Sequence, residues 1–262
     1  MIQYKIMNEY IFNPEDCYNS IKTQFLSWLS NVSCKKVVLG ISGGKDSTVC
    51  AYLLSKIIGS ENVYGVMLPN GLQKDINDSM EVIKLTGINS KVIDISNAYN
   101  AMIDQLKYNG FTPSADTVIN MPPRLRMTAL YAVAQTVGGI VLNTCNRSER
   151  DLGYATIFGD FAGSYALIQD LTVTEVIELG KWLDIPEYLI MKKPGDGLQE
   201  LGDEDRLGMK YADVDKFIRL NEGTDDFKKK VLDKYKANKF KIDMLHIDGP
   251  IFDYVDYVRT SM

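Results

Sequence analysis

The sequence predicts an α/β protein: a doubly wound parallel sheet with helices on both faces and a helical extension at its C-terminal end. Short apolar runs rich in Val and Ile, typical of buried parallel strands, alternate with segments whose apolar residues recur at helical spacing. The connections between these segments are mostly short, as in successive βαβ units. The chain has 262 residues, and we expect residues 1–262 to form a single domain.

The composition argues against several classes of protein. A net charge of −5 at pH 7 argues against general binding of nucleic acid. No apolar run approaches the length of a membrane span, and the N-terminal residues lack the regions of a signal peptide. The four cysteines form no Cys-x-x-Cys pair and there is one histidine. We therefore expect free thiols, no zinc site and a cytoplasmic protein.

The first elements are a helix, a strand and a second helix. Residues 17–29 have a helical pattern, and Asn13 followed by Pro14 supplies a start signal. A strand is predicted at residues 37–41, and a Ser-Gly-Gly turn follows it. Apolar residues after the turn recur at helical spacing, so the turn leads into a helix.

The rest of the chain continues this alternation. Further strands are predicted at residues 63–68, 91–95 and 140–144. Further helices are predicted at residues 75–85, 98–106, 124–137, 174–183, 213–220 and 225–237. Loops are expected at residues 108–123 and 149–170, and a mobile lid at the glycine-rich acidic segment 192–206. Because the most polar turns follow the strands at 37–41 and 140–144, we expect these two strands to be neighbours.

The turn after the first strand is suited to binding an anion. Its glycines let backbone amides approach oxygen atoms closely, and the helix N-terminus adds partial positive charge. The spacing of Gly40, Gly44 and Lys45 does not fit a P-loop, and the GxGxxG motif is absent. Asp46 would repel a phosphate unless a divalent cation lay between them. The alternative interpretation is an ordinary turn with Asp46 at the start of a helix.

A second group of polar residues follows the strand predicted last. Thr144 and Glu149 come soon after that strand, so in a parallel sheet they share an edge with Asp46. The two carboxylates could hold Mg²⁺ together, through waters and phosphate oxygens. Arg124 and Arg126 begin the preceding helix near the same edge, and a planar guanidinium suits carboxylate and phosphate. The alternative is that Glu149 starts a solvated helix and that the arginines form surface ion pairs.

The motif Ser-Gly-Gly-x-Asp-Ser at residues 42–47 resembles the signature of the PP-loop ATP pyrophosphatases, which adenylate a substrate and release pyrophosphate. A larger set of motifs, spread from about residue 37 to residue 220, resembles the ammonia-dependent NAD synthetases. In chain order these motifs are GISGGKDS at 40–47, PRLRM at 123–127, NTCNRSE at 143–149, GYATIFGD at 153–160, TEV at 174–176 and KKP at 192–194.

This resemblance implies a fold like that of the adenine nucleotide alpha hydrolases. It also implies that ammonia amidates deamido-NAD through an acyl adenylate, giving NAD, AMP and pyrophosphate. The residues implied to bind ATP are Gly40, Ile41, Ser42, Gly43, Gly44, Lys45, Asp46, Ser47 and Thr144. Asp46 and Glu149 are the implied catalytic residues and ligands of Mg²⁺, while Arg124 and Lys241 are implied to contact the dinucleotide. A homodimer is implied as well.

The chain departs from the family pattern at four positions. Ile157 and Val173 stand where many members have lysine, Ser164 where they have aspartate, and Gly195 where they have Thr or Ser. Two alternative functions therefore stay open: a PP-loop enzyme that modifies tRNA, and a catalytically weakened homologue that binds nucleotide. The acidic balance and the lack of paired cysteines argue against the tRNA enzyme.

We expect free ammonia to be the nitrogen donor. Glutamine-dependent synthetases add a glutaminase domain that would be about as long as this chain. Only residues 1–36 precede the first predicted strand, and no cysteine stands in a recognisable nucleophile motif.

Overall fold

The structure, a computed structural model, describes residues 10–72, 76–191, 203–244, 247–252 and 256–260. Its centre is a parallel sheet with the strand order β3-β2-β1-β4-β5. The strands are β1 Lys36–Gly40, β2 Val63–Met67, β3 Asn89–Val92, β4 Gly139–Asn143 and β5 Tyr165–Ala166. The four predicted strands are confirmed to within two to three residues, and the short β5 lies in a segment that was predicted to be loop.

Helices connect and flank these strands. In chain order they are α1 Pro14–Asn31, α2 Lys45–Ile58, α3 Ile76–Thr86, α4 Ser96–Tyr108, α5 Ala115–Val137, α6 Arg147–Leu152, α7 Val173–Trp182, α8 Glu187–Ile190, α9 Asp203–Leu207, α10 Tyr211–Leu220, α11 Asp225–Met244 and α12 Tyr257–Thr260, with a 3₁₀ turn at Ser60–Asn62. The predicted start signal of α1 is confirmed, because the Asn13 side chain accepts hydrogen bonds from the backbone N–H groups of Glu15 and Asp16.

The helices cover both faces of the sheet, as predicted. Successive side chains of a strand point to opposite faces. Val37 and Leu39 belong to the apolar cluster that includes residues of α1, α2 and α7, whereas Val38 belongs to the cluster around α5. These strand residues are fully buried. Burial on both faces explains why β1 is a continuous apolar run in the sequence.

The predicted pairing of β1 with β4 is confirmed. Lys36 is in register with Gly139, and Val38 with Val141. The chain builds the sheet outward from β1 through β2 and β3, and then returns to add β4 on the other side of β1. The order of strands therefore reverses between β1 and β4, and ligands of open α/β sheets bind at such a point, beyond the carboxyl ends of the strands.

The loop predicted at residues 108–123 is confirmed at residues 109–114, but the prediction that the next helix begins only at residue 124 is wrong. Helix α5 begins at Ala115, where Ser114 accepts a hydrogen bond from the N–H of Thr117, and it contains Pro122 and Pro123. Each proline removes one N–H donor from the helix, and a proline inside a helix is ordinarily destabilising. The helix persists because Pro122 packs in a buried position and α5 packs along β1 and β4.

The C-terminal helical extension is confirmed and has an apolar cluster of its own. Fully buried members are Val214, Phe217, Ile218, Val231 and Val258, from α10, α11 and α12. Residues 192–202 of the predicted lid lie outside the described residues, and Asp203–Leu207 is the helix α9. All four cysteines are free thiols, as predicted. Within the described ranges, no helix is long and apolar enough to cross a membrane.

Candidate active site

Hydrogen bonds of its own hydroxyl groups fix the conformation of the turn between β1 and α2. Gly43 has a φ of +77°, a conformation that glycine adopts without strain. The Ser42 and Ser47 hydroxyl oxygens lie 3.0 Å apart, and Ser42 Oγ accepts a hydrogen bond of 3.2 Å from the Gly44 N–H. Ser47 and Thr48 each donate to the Gly44 carbonyl. The turn therefore places amides and hydroxyls at the N-terminus of α2, which suits an anion.

Asp46 and Glu149 are brought to one place by Asn146. The Asn146 side-chain amide donates a hydrogen bond of 3.0 Å to Asp46 Oδ1. The backbone N–H of Asn146 donates a hydrogen bond of 3.2 Å to Glu149 Oε2, and Asn146 Oδ1 accepts from the Glu149 N–H. This reciprocal arrangement is a capping box at the start of α6. One residue thus links the carboxylate that follows β1 to the carboxylate that follows β4.

Lys45 completes this cluster of charges. Its Nζ lies 2.8 Å from Asp46 Oδ2, and 4% of its side chain is exposed, against 16% for Asp46. The ammonium also lies 5.9 Å from the centre of the Tyr211 ring, a cation–π distance. Lys45 therefore points into the site and not into solvent.

Burial and the neighbouring Asp46 carboxylate both disfavour the ionised form of Glu149. Burial, and then the negative charge of Asp46, raise the pKa of Glu149 to about 8, while the Lys45 charge acts in the opposite direction. Among the residues that the structure describes, no group of three or more His, Cys, Asp or Glu side chains could hold a metal ion. Two carboxylates are nevertheless a suitable set for Mg²⁺, which keeps several waters and takes its other ligands from substrate phosphates.

Thr144 and the two arginines lie around the same edge of the sheet. Thr144 is half-buried and directly follows β4. Arg126 Nε donates to the Leu68 carbonyl, one residue beyond β2, and Arg124 Nε donates to the Ile157 carbonyl. Both arginines occupy the middle of α5 and not its start. Arg124 remains exposed, so its guanidinium has room for a further acceptor.

Lys241 reaches the loop after α6. Its Nζ donates hydrogen bonds to the carbonyls of Gly153, at 2.8 Å, and Ala155, at 3.2 Å. Burial lowers the pKa of Lys241, and the nearby Asp160 carboxylate opposes that effect. Asp160 in turn accepts a hydrogen bond of 2.6 Å from the Thr156 N–H. Arg124 of α5 and Lys241 of α11 therefore both contact carbonyls of this loop.

No role was predicted for Asn146 or Asp160, although both lie in the motifs at residues 143–149 and 153–160. Asn146 and Glu149 are three residues apart, the spacing of a capping box, so the sequence alone could have predicted this contact. The contacts of Asp160 come from the folding of the loop, which no local pattern shows: its carboxylate accepts a hydrogen bond from the Thr156 N–H and lies within the influence of the Arg126 and Lys241 charges. The loop prediction for residues 149–170 also overlooked most of α6.

Three of the four departures from the family pattern lie in the described residues. Val173 is buried in the cluster of the C-terminal extension, Ile157 offers its carbonyl to Arg124, and the Ser164 N–H donates to the Val141 carbonyl. Gly195 lies outside the described residues. An ammonium at position 173 would be buried among apolar side chains, so its absence agrees with the local packing.

Comparisons with known proteins give one consistent result. A family profile described as NAD synthase matches residues 17–245. The NH(3)-dependent NAD(+) synthetase of Pyrococcus horikoshii is 39% identical over 202 residues, 77% of each chain. The glutamine-dependent NAD(+) synthetase of Thermotoga maritima is 31% identical over 233 residues, 84% of this chain and 40% of that protein. Among solved structures, NMN synthetase from Francisella tularensis superposes with a TM-score of 0.81 at 31% identity, over 88% of this chain and 96% of that one.

Proposed function

Because this chain belongs to the NAD synthase family, we propose that the turn at residues 40–47 and the pair Asp46 and Glu149 form its active site. The reaction is the ATP-dependent amidation of deamido-NAD with ammonia. One observation carries the assignment of residues: Asn146 joins the two carboxylates beside an anion-binding turn, where the strand order reverses.

The chemistry explains the need for ATP. Ammonia does not displace oxygen from a carboxylate, because the carboxylate is an anion without a good leaving group. A nicotinate carboxylate oxygen therefore attacks the α-phosphorus of ATP, the bond to the bridging oxygen breaks, and pyrophosphate leaves with the electron pair. Ammonia then attacks the acyl carbon of the adenylate, loses a proton and displaces AMP. No protein nucleophile takes part in either step.

The residues of the turn have separate parts in this proposal. The backbone of Gly40, Ile41, Gly43 and Gly44 is proposed to let the phosphates approach the turn closely, and the Ser42 and Ser47 hydroxyls add donors. The Ile41 N–H is not one of the donors, because it donates to the Val66 carbonyl of β2. Thr144, directly after β4, is proposed to contact the adenylate part of ATP. These donors are already oriented by their contacts with one another, so binding requires little reorganisation.

Asp46 and Glu149 are proposed to hold Mg²⁺. The ion supplies positive charge that stabilises the phosphate oxygens during adenylation. Asn146 fixes the orientation of both carboxylates, and Lys45 balances their charge in the absence of ligand. Exclusion of water from the adenylate is proposed for the loop at residues 153–160.

Arg124 and Lys241 are proposed to serve the dinucleotide. The exposed guanidinium of Arg124 suits a phosphate or carboxylate. Lys241 holds the Gly153 and Ala155 carbonyls, so its contribution includes fixing the loop beside the substrate.

The direct test incubates the purified protein with deamido-NAD, ATP, Mg²⁺ and ammonium, followed by chromatography of the products. We expect NAD, AMP and pyrophosphate in equal amounts. Tight binding of ATP without turnover would instead support the catalytically weakened homologue. A variant with Asp46→Asn is the control for contaminating activity.

We propose ammonia as the nitrogen donor, supplied from solution. Turnover is measured with ammonium or glutamine as the sole donor. At subsaturating total ammonium the rate should rise with pH, because neutral ammonia is the nucleophile. Equal rates with glutamine and ammonium, in the absence of any other protein, would contradict this assignment.

A shorter substrate is a second candidate, and one observation favours it. The solved structure with a TM-score of 0.81 is that of an NMN synthetase. Nicotinate mononucleotide carries the same reacting carboxylate as deamido-NAD but lacks the adenylate half. The two substrates are compared by kcat/KM under identical conditions, and a higher value for the mononucleotide would replace deamido-NAD in the proposal.

We further propose that the protein acts as a homodimer of single-domain protomers. Apolar side chains exposed on and beside α5 support this: Phe111, Val118, Ile119, Tyr131 and Phe158. Light scattering after gel filtration should give twice the mass of the chain. Ile119→Lys should halve that mass, whereas Val92→Lys, on the exposed surface of β3, should not.

A further inference from the structure

Lys45 has a place in the site that the proposed reaction alone does not explain. Its ammonium is buried against Asp46 Oδ2 at 2.8 Å, in the first turn of α2. A lysine on the first turn of a helix ordinarily extends into water, because its charged head is strongly hydrated. Here the surroundings are a carboxylate, a second carboxylate close by, and the face of the Tyr211 ring.

The contacts of Asp46 show what Lys45 occupies. Asp46 Oδ1 accepts from the Asn146 amide and Asp46 Oδ2 lies against Lys45, so both oxygens of this carboxylate already have partners. Glu149 Oε2 accepts from the backbone of Asn146. A divalent cation that binds Asp46 through Oδ2 would lie next to the ammonium, and two cations on one oxygen repel each other.

We propose that the Lys45 ammonium is the resident counter-cation of the Asp46 and Glu149 pair, and that it gives way to the divalent cation only when that cation arrives with ATP. This inference rests on the proposed function, since it assumes that these carboxylates hold the metal. The free protein then has balanced charge without metal, and the metal and ATP bind in a mutually dependent manner.

ATP provides the ammonium with a new partner. A lysine ammonium is a compact charge on a flexible stem and binds phosphate well, so it can leave Asp46 without a change of the backbone. The turn that carries Lys45 is itself the proposed phosphate site. A lysine in the turn would also supply positive charge that the chain lacks at Ile157 and Val173.

The test compares the wild-type protein with Lys45→Met, which keeps the length of the side chain and removes its charge. Free Mn²⁺ is titrated in the absence of nucleotide and counted by electron paramagnetic resonance, and the melting temperature is recorded in EDTA and in Mg²⁺. We expect Lys45→Met to bind Mn²⁺ roughly tenfold or more tightly than the wild type without ATP. Its melting temperature should fall in EDTA and recover in Mg²⁺, whereas that of the wild type should change little. Lys181→Met, an exposed lysine paired with Glu178, is the matched control for the loss of one positive charge.

A second variant keeps the test informative if Lys45→Met alone fails to fold. Lys45→Met/Asp46→Asn removes the ammonium together with the charge it balances, so it should fold and be insensitive to Mg²⁺. An unfolded double variant, or equal Mn²⁺ affinity in the wild type and Lys45→Met, would overturn the proposal. These measurements need no turnover, so they stay informative if the protein fails to amidate deamido-NAD.

Discussion

At the residue scale, three atoms of Asn146 hold the two carboxylates in place. Its amide N–H₂ and backbone N–H each donate to a carboxylate, and its Oδ1 accepts from the N–H of Glu149. Asp46 and Glu149 are about a hundred residues apart in the chain, and this side chain fixes their relative positions. Its own burial is complete, so the geometry is protected from competing water.

The first prediction concerns these two carboxylates. Asp46→Asn and Glu149→Gln should each lower turnover by roughly tenfold or more, which corresponds to about 1.4 kcal/mol of transition-state stabilisation. Each substitution removes a charge that the proposed metal requires while the shape of the side chain is retained. Steady-state rates at saturating ATP and Mg²⁺ provide the measurement. Full activity in both variants would show that the pair does not hold a metal during catalysis.

The second prediction concerns the pH dependence of stability in the metal-free protein. The pKa of Glu149 is about 8 in the folded protein, above its ordinary value of 4.5. Between these values the folded state binds more protons than the unfolded chain, so the free energy of unfolding should fall as pH rises. Urea unfolding in EDTA at pH 6.5 and 8.5 measures this fall. Glu149→Gln cannot titrate and should lose less stability over the same interval, whereas an identical loss would assign the effect to other groups.

At the scale of elements, α11 and the end of α6 fit together without spare room. Gly153 ends α6 with a φ of +65°, and a Cβ atom there would lie 2.1 Å from the Asn238 Cβ of α11. Asn238 also donates a hydrogen bond to the Leu152 carbonyl, and Lys241 holds the next carbonyls. The loop beside the proposed site therefore depends on the position of α11.

The third prediction tests this contact with a matched pair of glycines. Gly153→Ala should lower the free energy of unfolding by about 2–4 kcal/mol, because it combines backbone strain with a steric clash. Gly138→Ala is the control, since Gly138 has a similar φ of +69° but nothing within 4 Å of an added Cβ. It should cost only about 1–2 kcal/mol, the strain alone. Equal losses in urea unfolding would mean that α11 moves aside freely.

The elements differ in how far the sequence could predict them. The strands β1 and β4 were predictable because burial on both faces leaves continuous apolar runs, and their polar ends indicated the site. The start of α5 was not predictable. Prolines locally disfavour a helix, whereas the packing of α5 on the sheet, which stabilises it, is a long-range effect. Likewise Glu149 was predicted from its position after β4. The contact of Lys45 with the Tyr211 ring was not predictable, because Tyr211 belongs to α10, far along the chain.

At the scale of the whole molecule, two apolar clusters differ in their construction. The cluster around β1, α2 and α7 consists of buried side chains from many elements. The cluster of the C-terminal extension includes α11, a helix of 20 residues of which only Val231 and Tyr235 are buried. The extension is joined to α7 by a buried ion pair, in which Arg219 Nε lies 2.7 Å from Glu175 Oε1.

The fourth prediction follows from this difference. In native-state hydrogen exchange, amides of α11 should exchange with an opening free energy at least about 2 kcal/mol below that of amides in β1 and α2. Few buried apolar contacts secure α11, so it can open while the sheet stays folded. Arg219→Met should lower the opening free energy of α10 and leave β1 nearly unchanged. One common opening energy for all elements would indicate a single cooperative unit.

Strand β4 pairs with the side of β1 opposite to β2, and it is synthesised after β2 and β3. This order has a consequence for synthesis on the ribosome. Translation delivers β1, β2 and β3 first, and the edge of β1 stays without a partner until residue 143 has emerged. An unpaired apolar strand edge is a template for association with other chains. The nascent protein therefore has an unpaired β1 edge while about one hundred residues are synthesised, and the arrival of β4 both pairs that edge and completes the proposed active site.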